Sequence, residues 1–319
     1  MKDLKCEVVK TAWAEGCVDS VGFPISRCLE ICRNRLEAWN KNDFRHVGRK
    51  ISELQGKLEW LEHQPALPPI ISVTRETRID LNCWLDKEAA MWYQQSPLNW
   101  FQTGDQNARF FDARASSRYK KNIITGQMNS QGVWHEEEHK KGEIVVSYHK
   151  DLFCSNQPTE FTEILNVVQP RVSKDMNKLL NLTFQGNEVY IALKQMYPLK
   201  SPGPDGMPPL FFQHFWPTIG NTVTKTVLDF LNFGYAPPKF NDIHVVLIPE
   251  NKDPKRISDY RPISLCNLIF KLASKVIANR LKKILSSIIS ETQSPFVHGR
   301  LITDNILVAF ASHKSEESG

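Results

Sequence analysis

The sequence lacks the features that would place it in a membrane or in a secreted, disulfide-stabilised domain. Among its 319 residues no apolar run approaches the roughly 18 residues of a membrane span. No charged start followed by an apolar run and a cleavage site marks a secretory signal. The seven cysteines form an odd, scattered set, unlike the dense even sets of disulfide scaffolds. We therefore expect a soluble intracellular protein, in the nucleus or the cytoplasm, with reduced thiols and no membrane partner.

Signatures of independent catalysis are missing as well. The chain contains no GxSxG, phosphate-binding loop or HExxH motif, and no pair of carboxylates spaced as in a metal site. Three single carboxylates stand beside turns or a helix start, where we expect them to cap backbone N–H groups: Asp205, Asp259 and Asp304. Cys28 and Cys32 lie four residues apart on a predicted helix, and we predict buried or half-buried thiols there rather than zinc ligands. We therefore assign no catalytic residue and no metal ligand.

The composition and the charge indicate a folded chain with a basic region. Hydrophobic residues make up 41% and charged residues 24% of the sequence, which is ordinary for a globular protein. The net charge is +5, yet residues 225–283 alone carry eleven Lys or Arg against five Asp or Glu. A local basic surplus is typical of a phosphate-binding surface, although solvated helix faces show it too.

Two stretches of helical periodicity flank a proline-rich break at residues 63–70. Before the break, apolar residues recur three or four positions apart at Ile51, Leu54, Leu58 and Leu61. After it, a second set predicts a helix that ends before Pro97: Leu81, Trp84, Leu85, Met91 and Trp92. We predict an antiparallel helical hairpin in which the two apolar stripes pack on each other, with a partner-binding face as the alternative.

A basic and aromatic segment follows at residues 103–121. It carries Phe110, Phe111 and Asp112 among five cations: Arg109, Arg114, Arg118, Lys120 and Lys121. This mixture suits phosphate contact and base packing, and it equally suits a solvated helix face with two core phenylalanines. Beyond it, the sequence predicts a short β-hairpin around the glycine-containing turn 129–132, a helix to Phe153, and a helix over 186–197.

The segment 201–285 combines a rigid turn, a basic hairpin and a long helix. Two prolines and two glycines shape residues 201–206. Residues 243–249 read as a buried strand and 259–265 as a second strand, joined by a loop whose cations either hold a polyphosphate or are merely solvated: Lys252, Lys255, Arg256 and Arg261. Residues 267–285 predict a mostly buried helix whose apolar surface is interrupted by a narrow strip for phosphate contact: Lys271, Lys275 and Lys282.

Three phrases in fixed order carry a family resemblance. They are SPGPDG at 201–206, LIPENKDPKRISDYRPISL at 247–265 and QSPFVHGR at 293–300. They resemble the opening part of the reverse transcriptase of plant non-LTR (LINE-type) retrotransposons, which are RNA-directed DNA polymerases. Residues 38–62 and 100–127 are similar to the region that these proteins place between endonuclease and polymerase, and residues 307–310 fit the run after the third phrase.

The resemblance implies an α+β, mostly helical fold. Residues 1–37 would be the remnant of the segment that follows an endonuclease. Residues 38–186 would form a helical connector with an antiparallel helix hairpin and a small β-hairpin. Residues 187–319 would form the incomplete fingers part of a right-hand polymerase, a β-hairpin with helices, truncated before the palm and its metal-binding aspartates.

The resemblance also implies site residues and marks departures. Arg261 would contact the nucleotide triphosphate, and Lys252 would substitute for the lysine that usually follows LIP, where this chain has Glu250. Nine residues would contact nucleic acid: Arg109, Arg114, Arg118, Lys271, Lys275, Lys282, Gln293, Phe296 and Arg300. Further departures from the family pattern are Asp112, Pro295 and His298.

On this resemblance we expect a truncated retroelement protein without polymerase activity that binds an RNA template or an RNA·DNA hybrid through its basic surfaces. No cofactor is expected in this chain, because the Mg ions of the full-length family are held by aspartates beyond it. The alternatives are a pseudogene or gene-model fragment without a stable fold, or a piece of a longer active reverse transcriptase.

Overall fold

The computed structural model describes most of the chain. The described residues are 2–18, 22, 24–41, 47–65, 67–95, 116–117, 119–155, 161–167, 169–290, 293, 297, 299–301 and 303. The chain divides into two compact units. The first comprises Met1–Ala12, Ile31–Cys154 and Val245–Ser264, and the second comprises Trp13–Glu30, Ser155–His244 and Leu265–Gly319.

Helices dominate the described residues, with two small β-hairpins between them, as the prediction of a mostly helical α+β fold requires. The labelled helices are α1 (Lys2–Val18), α2 (Pro24–Trp39), α3 (Val47–Glu62), α4 (Pro68–Gln95), α5 (Glu138–Phe153), α6 (Thr162–Val167), α7 (Lys174–Leu180), α8 (Gly186–Lys194), α9 (Pro209–Phe233) and α10 (Leu268–Ile288). The strands are β1 (Gln127–Met128), β2 (Trp134–His135), β3 (Ile243–Pro249) and β4 (Tyr260–Cys266), and they pair as β1 with β2 and β3 with β4. Within the described ranges, none of the helices combines the length and the apolarity that a bilayer crossing requires.

The predicted helical hairpin is confirmed in α3 and α4. Its buried core consists of Val47, Ile51, Leu54 and Leu81, with Leu58, Trp84 and Leu85 packed against it. The break falls where the prolines lie, and α4 begins at Pro68, because a proline in the first helical turn has no intrahelical hydrogen bond to lose. The side chains of Met91 and Trp92 lie outside the described part of the chain.

The short β-hairpin predicted around residues 129–132 is confirmed as well. Gln127 pairs with His135, and Met128 pairs with Trp134. Asn129 Oδ1 accepts hydrogen bonds from the backbone nitrogens of Gln131 and Val133, at 3.0 and 2.9 Å. Gly132 adopts a φ of 81°, a value that residues with a side chain rarely reach, so the glycine fixes the turn.

The core of the second unit lies where α8, α9 and α10 meet. Large side chains that are fully buried there include Leu193, Phe212, Ile219, Val223, Leu268 and Leu272. The helix predicted over 186–197 ends at Lys194, one turn earlier than expected. Gly234 caps the C-terminal end of α9, and its φ of 75° lets its N–H bond back to the last turn.

The burial predicted for β3 is wrong. The strand itself forms, but Ile243, Val245 and Val246 are 41%, 43% and 39% exposed. An unbroken β-branched run predicts a strand covered on both faces, as in a larger sheet. Here β3 belongs to a two-stranded hairpin. Its partner β4 covers one edge of β3 and leaves both of its faces uncovered.

The prediction that α10 is mostly buried holds for only one face of the helix. Leu272, Val276 and Ile284 are buried, whereas Ile277 and Leu281 are 40% and 38% exposed. The helix is therefore amphipathic, with one face in the core of the second unit. The lysines predicted to interrupt an otherwise covered surface instead lie beside apolar side chains that are also open to solvent.

Candidate nucleic-acid interface

The loop at residues 201–206 holds the N-terminus of α10. Asp205 Oδ2 accepts a hydrogen bond of 2.7 Å from the backbone nitrogen of Leu268, the first residue of the helix. Asn267 Oδ1 accepts one of 2.9 Å from the backbone nitrogen of Asp205. Burial raises the pKa of the Asp205 carboxyl, and the backbone hydrogen bonds of Leu268 and Met207 partly offset that rise. The capping role predicted for Asp205 is confirmed across a separation of more than sixty residues in sequence.

Gly203 explains why this loop needs a residue without a side chain. A Cβ at Gly203 would lie 2.3 Å from the backbone carbonyl carbon and oxygen of Cys266 and 2.6 Å from the nitrogen of Asn267. The loop therefore runs directly against the chain that leads into α10. This contact adds to the hydrogen bonds of Asp205 in fixing where the helix starts.

Lys271, the first lysine of the predicted phosphate strip, is engaged by the same loop. Its Nζ donates a hydrogen bond of 2.9 Å to the backbone oxygen of Ser201. Partial burial lowers the pKa of Lys271, and the nearby charge of Asp205 opposes that effect. The structure thus gives Lys271 a contact within the protein, and its predicted contact with nucleic acid stays a prediction.

The other two lysines of the strip lie together in an open groove between α8 and α10. The groove has a volume of about 720 Å³, and we call it the lysine groove after Lys275, Lys282 and Lys283 in its lining. Partial burial lowers the pKa of Lys275, and the charges of Lys282 and Lys200 lower it further. Ammonium groups gathered in the lining of one groove favour an anionic occupant.

Arg280 also lines the groove and neutralises the carboxylate of Glu188 on the opposite helix. Its side chain is only 7% exposed. Nε and Nη2 of Arg280 donate to the two carboxylate oxygens of Glu188 at 2.8 and 2.7 Å, and the hydrogen bond from Arg280 is the main reason why the pKa of Glu188 is lowered. The guanidinium also stacks on Phe184, 3.6 Å from the ring centroid. The remaining donors bond to backbone oxygens: those of Leu180, Leu182 and Thr183.

Sequence reasoning missed Arg280 and Lys283. A signal for Arg280 existed, because it lies four residues from both Val276 and Ile284, in the middle of the buried stripe of α10. An arginine in an apolar stripe must find a partner inside the protein, since a buried cation is unfavourable without one. Lys283 lies outside the narrow strip that the helical wheel defines for the other lysines. The groove is wider than that strip, because α8 forms its second wall, and it therefore includes Lys283.

The basic hairpin of the first unit carries its own ion pair. Arg261 Nε donates a hydrogen bond of 2.8 Å to Glu250 Oε1, and both side chains are largely solvent-exposed. Asp259 accepts hydrogen bonds from the backbone nitrogens of Lys255 and Arg256, which confirms its capping role and lowers its pKa. Nucleotide contact by Arg261 and by the exposed Lys252 stays a prediction. In the structure the Nε of Arg261 is bonded to the carboxylate of Glu250.

The third phrase places Arg300 in a local contact. Its Nη1 donates to the backbone oxygens of Ser290 and Gln293, just after α10. Several predicted residues lie outside the described part of the chain: Arg109, Arg114, Arg118, Phe296 and Asp304. The described residues bring no three His, Cys, Asp or Glu side chains together as a metal ion would require. Cys28 and Cys32 are buried thiols, as predicted.

Comparison with known proteins points to a transposon. No family model matches the chain. The chain is 30% identical over 206 residues to the uncharacterized 149 kDa protein of transposon TX1 from Xenopus laevis. The match covers 64% of this chain and spans only 16% of the length of the Xenopus protein. The chain is thus related to a short part of a transposon-encoded protein.

Proposed function

We propose that this chain derives from the reverse transcriptase of a plant LINE-type retroelement and binds an RNA template or an RNA·DNA hybrid through the lysine groove. In this proposal residues 38–186 correspond to the connector and residues from 187 onward to the fingers part. The similarity to a transposon-encoded protein supports the retroelement origin. The order of the three phrases between residues 201 and 300 supports the reverse-transcriptase part.

The observation that carries the binding proposal is the charge balance of the lysine groove. Lys275, Lys282 and Lys283 line it from α10. Among the described residues of the lining, Glu188 is the one carboxylate, and it is bonded bidentately to Arg280. In the described part of the chain, Lys275 and Lys282 form no ion pair. Their charge is therefore available to a phosphate, whereas Lys140 and Lys50 elsewhere pair with neighbouring glutamates.

The groove also offers apolar surface beside its cations. Ile191 of α8, which is 49% exposed, and Leu285 of α10 both belong to its lining. A nucleic-acid strand presents phosphates on one side and sugar or base surface on the other, and a cationic groove with an apolar wall complements both. These contacts carry no base-specific hydrogen-bond pattern, so we expect little sequence preference.

Fluorescence anisotropy at several KCl concentrations tests the proposal, with a labelled single-stranded RNA and an RNA·DNA hybrid. The variant Lys275→Ala/Lys282→Ala/Lys283→Ala removes the three lysines of the groove. For single-stranded RNA the slope of log K against log salt should become shallower by about 2, since each lost phosphate contact contributes about 0.7. Affinity near physiological salt should fall for both probes.

The control variant removes three exposed lysines outside the groove, Lys57→Ala/Lys150→Ala/Lys174→Ala, and has the same net charge. We expect it to retain most of the affinity and most of the salt slope. Equal weakening of both triple variants would refute the groove as the binding site. Absence of measurable RNA binding by the wild-type chain would refute the proposed function itself.

A further inference from the structure

Two cysteine side chains of the second unit meet where α1 lies against α2. Cys17 Sγ and Cys28 Sγ are 3.3 Å apart. Cys17 is exposed near the C-terminal end of α1, whereas Cys28 is completely buried on α2. A disulfide has an S–S distance of about 2.05 Å, so bond formation requires the sulfurs to approach by only about 1.3 Å.

Gly16 accounts for this closeness. A Cβ at Gly16 would lie 2.7 Å from Cys28 Cα and 2.8 Å from Cys28 Sγ, so the two helices touch at a position where only a glycine fits. Cys28 Sγ also donates to the backbone oxygen of Trp13 at 3.6 Å. The indole Nε1 of Trp13 in turn donates to Thr222 Oγ1 of α9 at 3.4 Å. The thiol pair is therefore built into the packing of the second unit.

We propose that Cys17 and Cys28 form a reversible disulfide when the protein meets a low-molecular-weight disulfide such as oxidised glutathione. The exposed Cys17 thiolate attacks one sulfur of oxidised glutathione, forms a mixed disulfide and releases one glutathione thiolate. Cys28 loses its proton and attacks the Cys17 sulfur, which expels the second glutathione. The two cysteines lose two electrons in total, and one oxidised glutathione becomes two reduced molecules.

The two thiols have complementary exposure for these roles. Cys17 is accessible to the incoming disulfide, and the buried Cys28 is shielded from it until the mixed disulfide forms next to it. Cys83 and Cys154 are also exposed, but no second sulfur lies in contact with either among the described residues. Oxidised glutathione should therefore leave those two cysteines as mixed disulfides.

Peptide mapping distinguishes a Cys17–Cys28 disulfide from cysteines that carry glutathione. Trypsin cleaves after Lys10, Arg27 and Arg33, so residues 11–27 carry Cys17 and residues 28–33 carry both Cys28 and Cys32. After incubation of the native protein in a glutathione redox buffer and alkylation, mass spectrometry should find peptides 11–27 and 28–33 joined with the loss of two hydrogens. The link should persist in Cys32→Ser and disappear on treatment with dithiothreitol.

Three variants make the test specific. Cys17→Ser should abolish the linked peptide. Cys28→Ser should leave glutathione on Cys17. Gly16→Ala retains both thiols, and we expect a lower linked fraction because the added methyl group separates the helices. Cys83→Ser serves as the control and should leave the linked fraction unchanged.

Two results would overturn the proposal. The first is a native wild-type protein in which Cys17 carries glutathione and no linked peptide forms. The second is a linked peptide that forms equally fast in the urea-unfolded chain, because the helix contact would then contribute nothing. Neither result depends on RNA binding, so the disulfide can fail while the proposed function stands, and the reverse also holds.

Discussion

Substituting Arg280 by methionine should strongly destabilise the second unit. The change removes the guanidinium while keeping most of the apolar volume of the side chain. It leaves the Glu188 carboxylate without its bidentate partner and removes the donor shared by three backbone oxygens, those of Leu180, Leu182 and Thr183. Removing one member of a buried ion pair typically costs about 3–5 kcal/mol.

The exposure of the two partners sets where in this range the cost should fall. Arg280 is 7% exposed, but Glu188 is 25% exposed and can gain some hydration once its partner is removed. We therefore expect a cost of about 3 kcal/mol, near the lower end. This is a large fraction of the roughly 5–15 kcal/mol that stabilises a typical domain.

Urea unfolding followed by circular dichroism measures this loss, and amide hydrogen exchange in α10 localises it to the second unit. The midpoint should fall by about 1 M or more at a typical urea dependence. The matched control is Lys50→Met, which breaks the Lys50–Glu53 pair on the surface of α3, where the side chains are 49% and 54% exposed. That control should cost less than about 1 kcal/mol. Equal losses in Arg280→Met and Lys50→Met would refute the reasoning.

Three further changes test the Glu188 carboxylate, the close approach of Gly203 and the ion pair of Glu250. Because the pKa of Glu188 is lowered in the folded protein, its contribution to stability is complete above the ordinary value of 4.5 and is lost as the pH falls through the lowered pKa. In Glu188→Gln the urea midpoint should therefore fall less steeply with decreasing pH in the acid range than it does in the wild type. Gly203→Ala should cost about 1–3 kcal/mol in urea unfolding because of the clash with Cys266, whereas Gly142→Ala, which meets nothing within 4 Å, should not destabilise; equal effects would contradict the close approach. Glu250→Lys should raise nucleoside triphosphate affinity about three- to tenfold in titration calorimetry by freeing the neighbouring arginine, and unchanged affinity would count against nucleotide contact there.

Local periodicity was sufficient to predict the helical hairpin of α3 and α4. Ile51 and Leu54 recur at helical spacing on one side of the proline-rich break, and Leu81 begins the matching stripe on the other. Two amphipathic helices joined by a short break can bury both stripes by folding onto each other. The information therefore lies within about fifty consecutive residues, and no distant segment is needed.

The exposure of β3 could not be predicted in the same way. Ile243, Val245 and Val246 have the β-branched character that favours an extended backbone, and the strand forms. Whether a strand face is covered depends on what lies above it, and that is decided by segments far away in sequence. The pattern thus predicted the local conformation correctly and the burial wrongly.

The lysines of α10 show the same limit at the candidate site. Helical spacing placed Lys271, Lys275 and Lys282 along one strip, but it could not show that Ser201, seventy positions away, supplies an acceptor for the first of them. The opposite wall of the groove comes from α8, so only the packing of α8 on α10 determines that Lys283 belongs to it. Charge and helical period thus predicted Lys275 and Lys282, and only the tertiary structure shows that Lys283 lines the groove and that Lys271 does not.

The position of the lysine groove follows from how α10 is held at its N-terminus and again within its C-terminal half. At its N-terminus, Asp205 accepts a hydrogen bond from Leu268, although burial raises the pKa of that carboxyl. Toward its C-terminal half, Arg280 joins Glu188 of α8 through two short hydrogen bonds. Both contacts place polar groups at sites where leaving them unpaired would be costly, so each favours a single arrangement of the helix. The groove lysines therefore project from an element whose position does not depend on a ligand, so a nucleic acid of the kind proposed above would have to order only their flexible side chains.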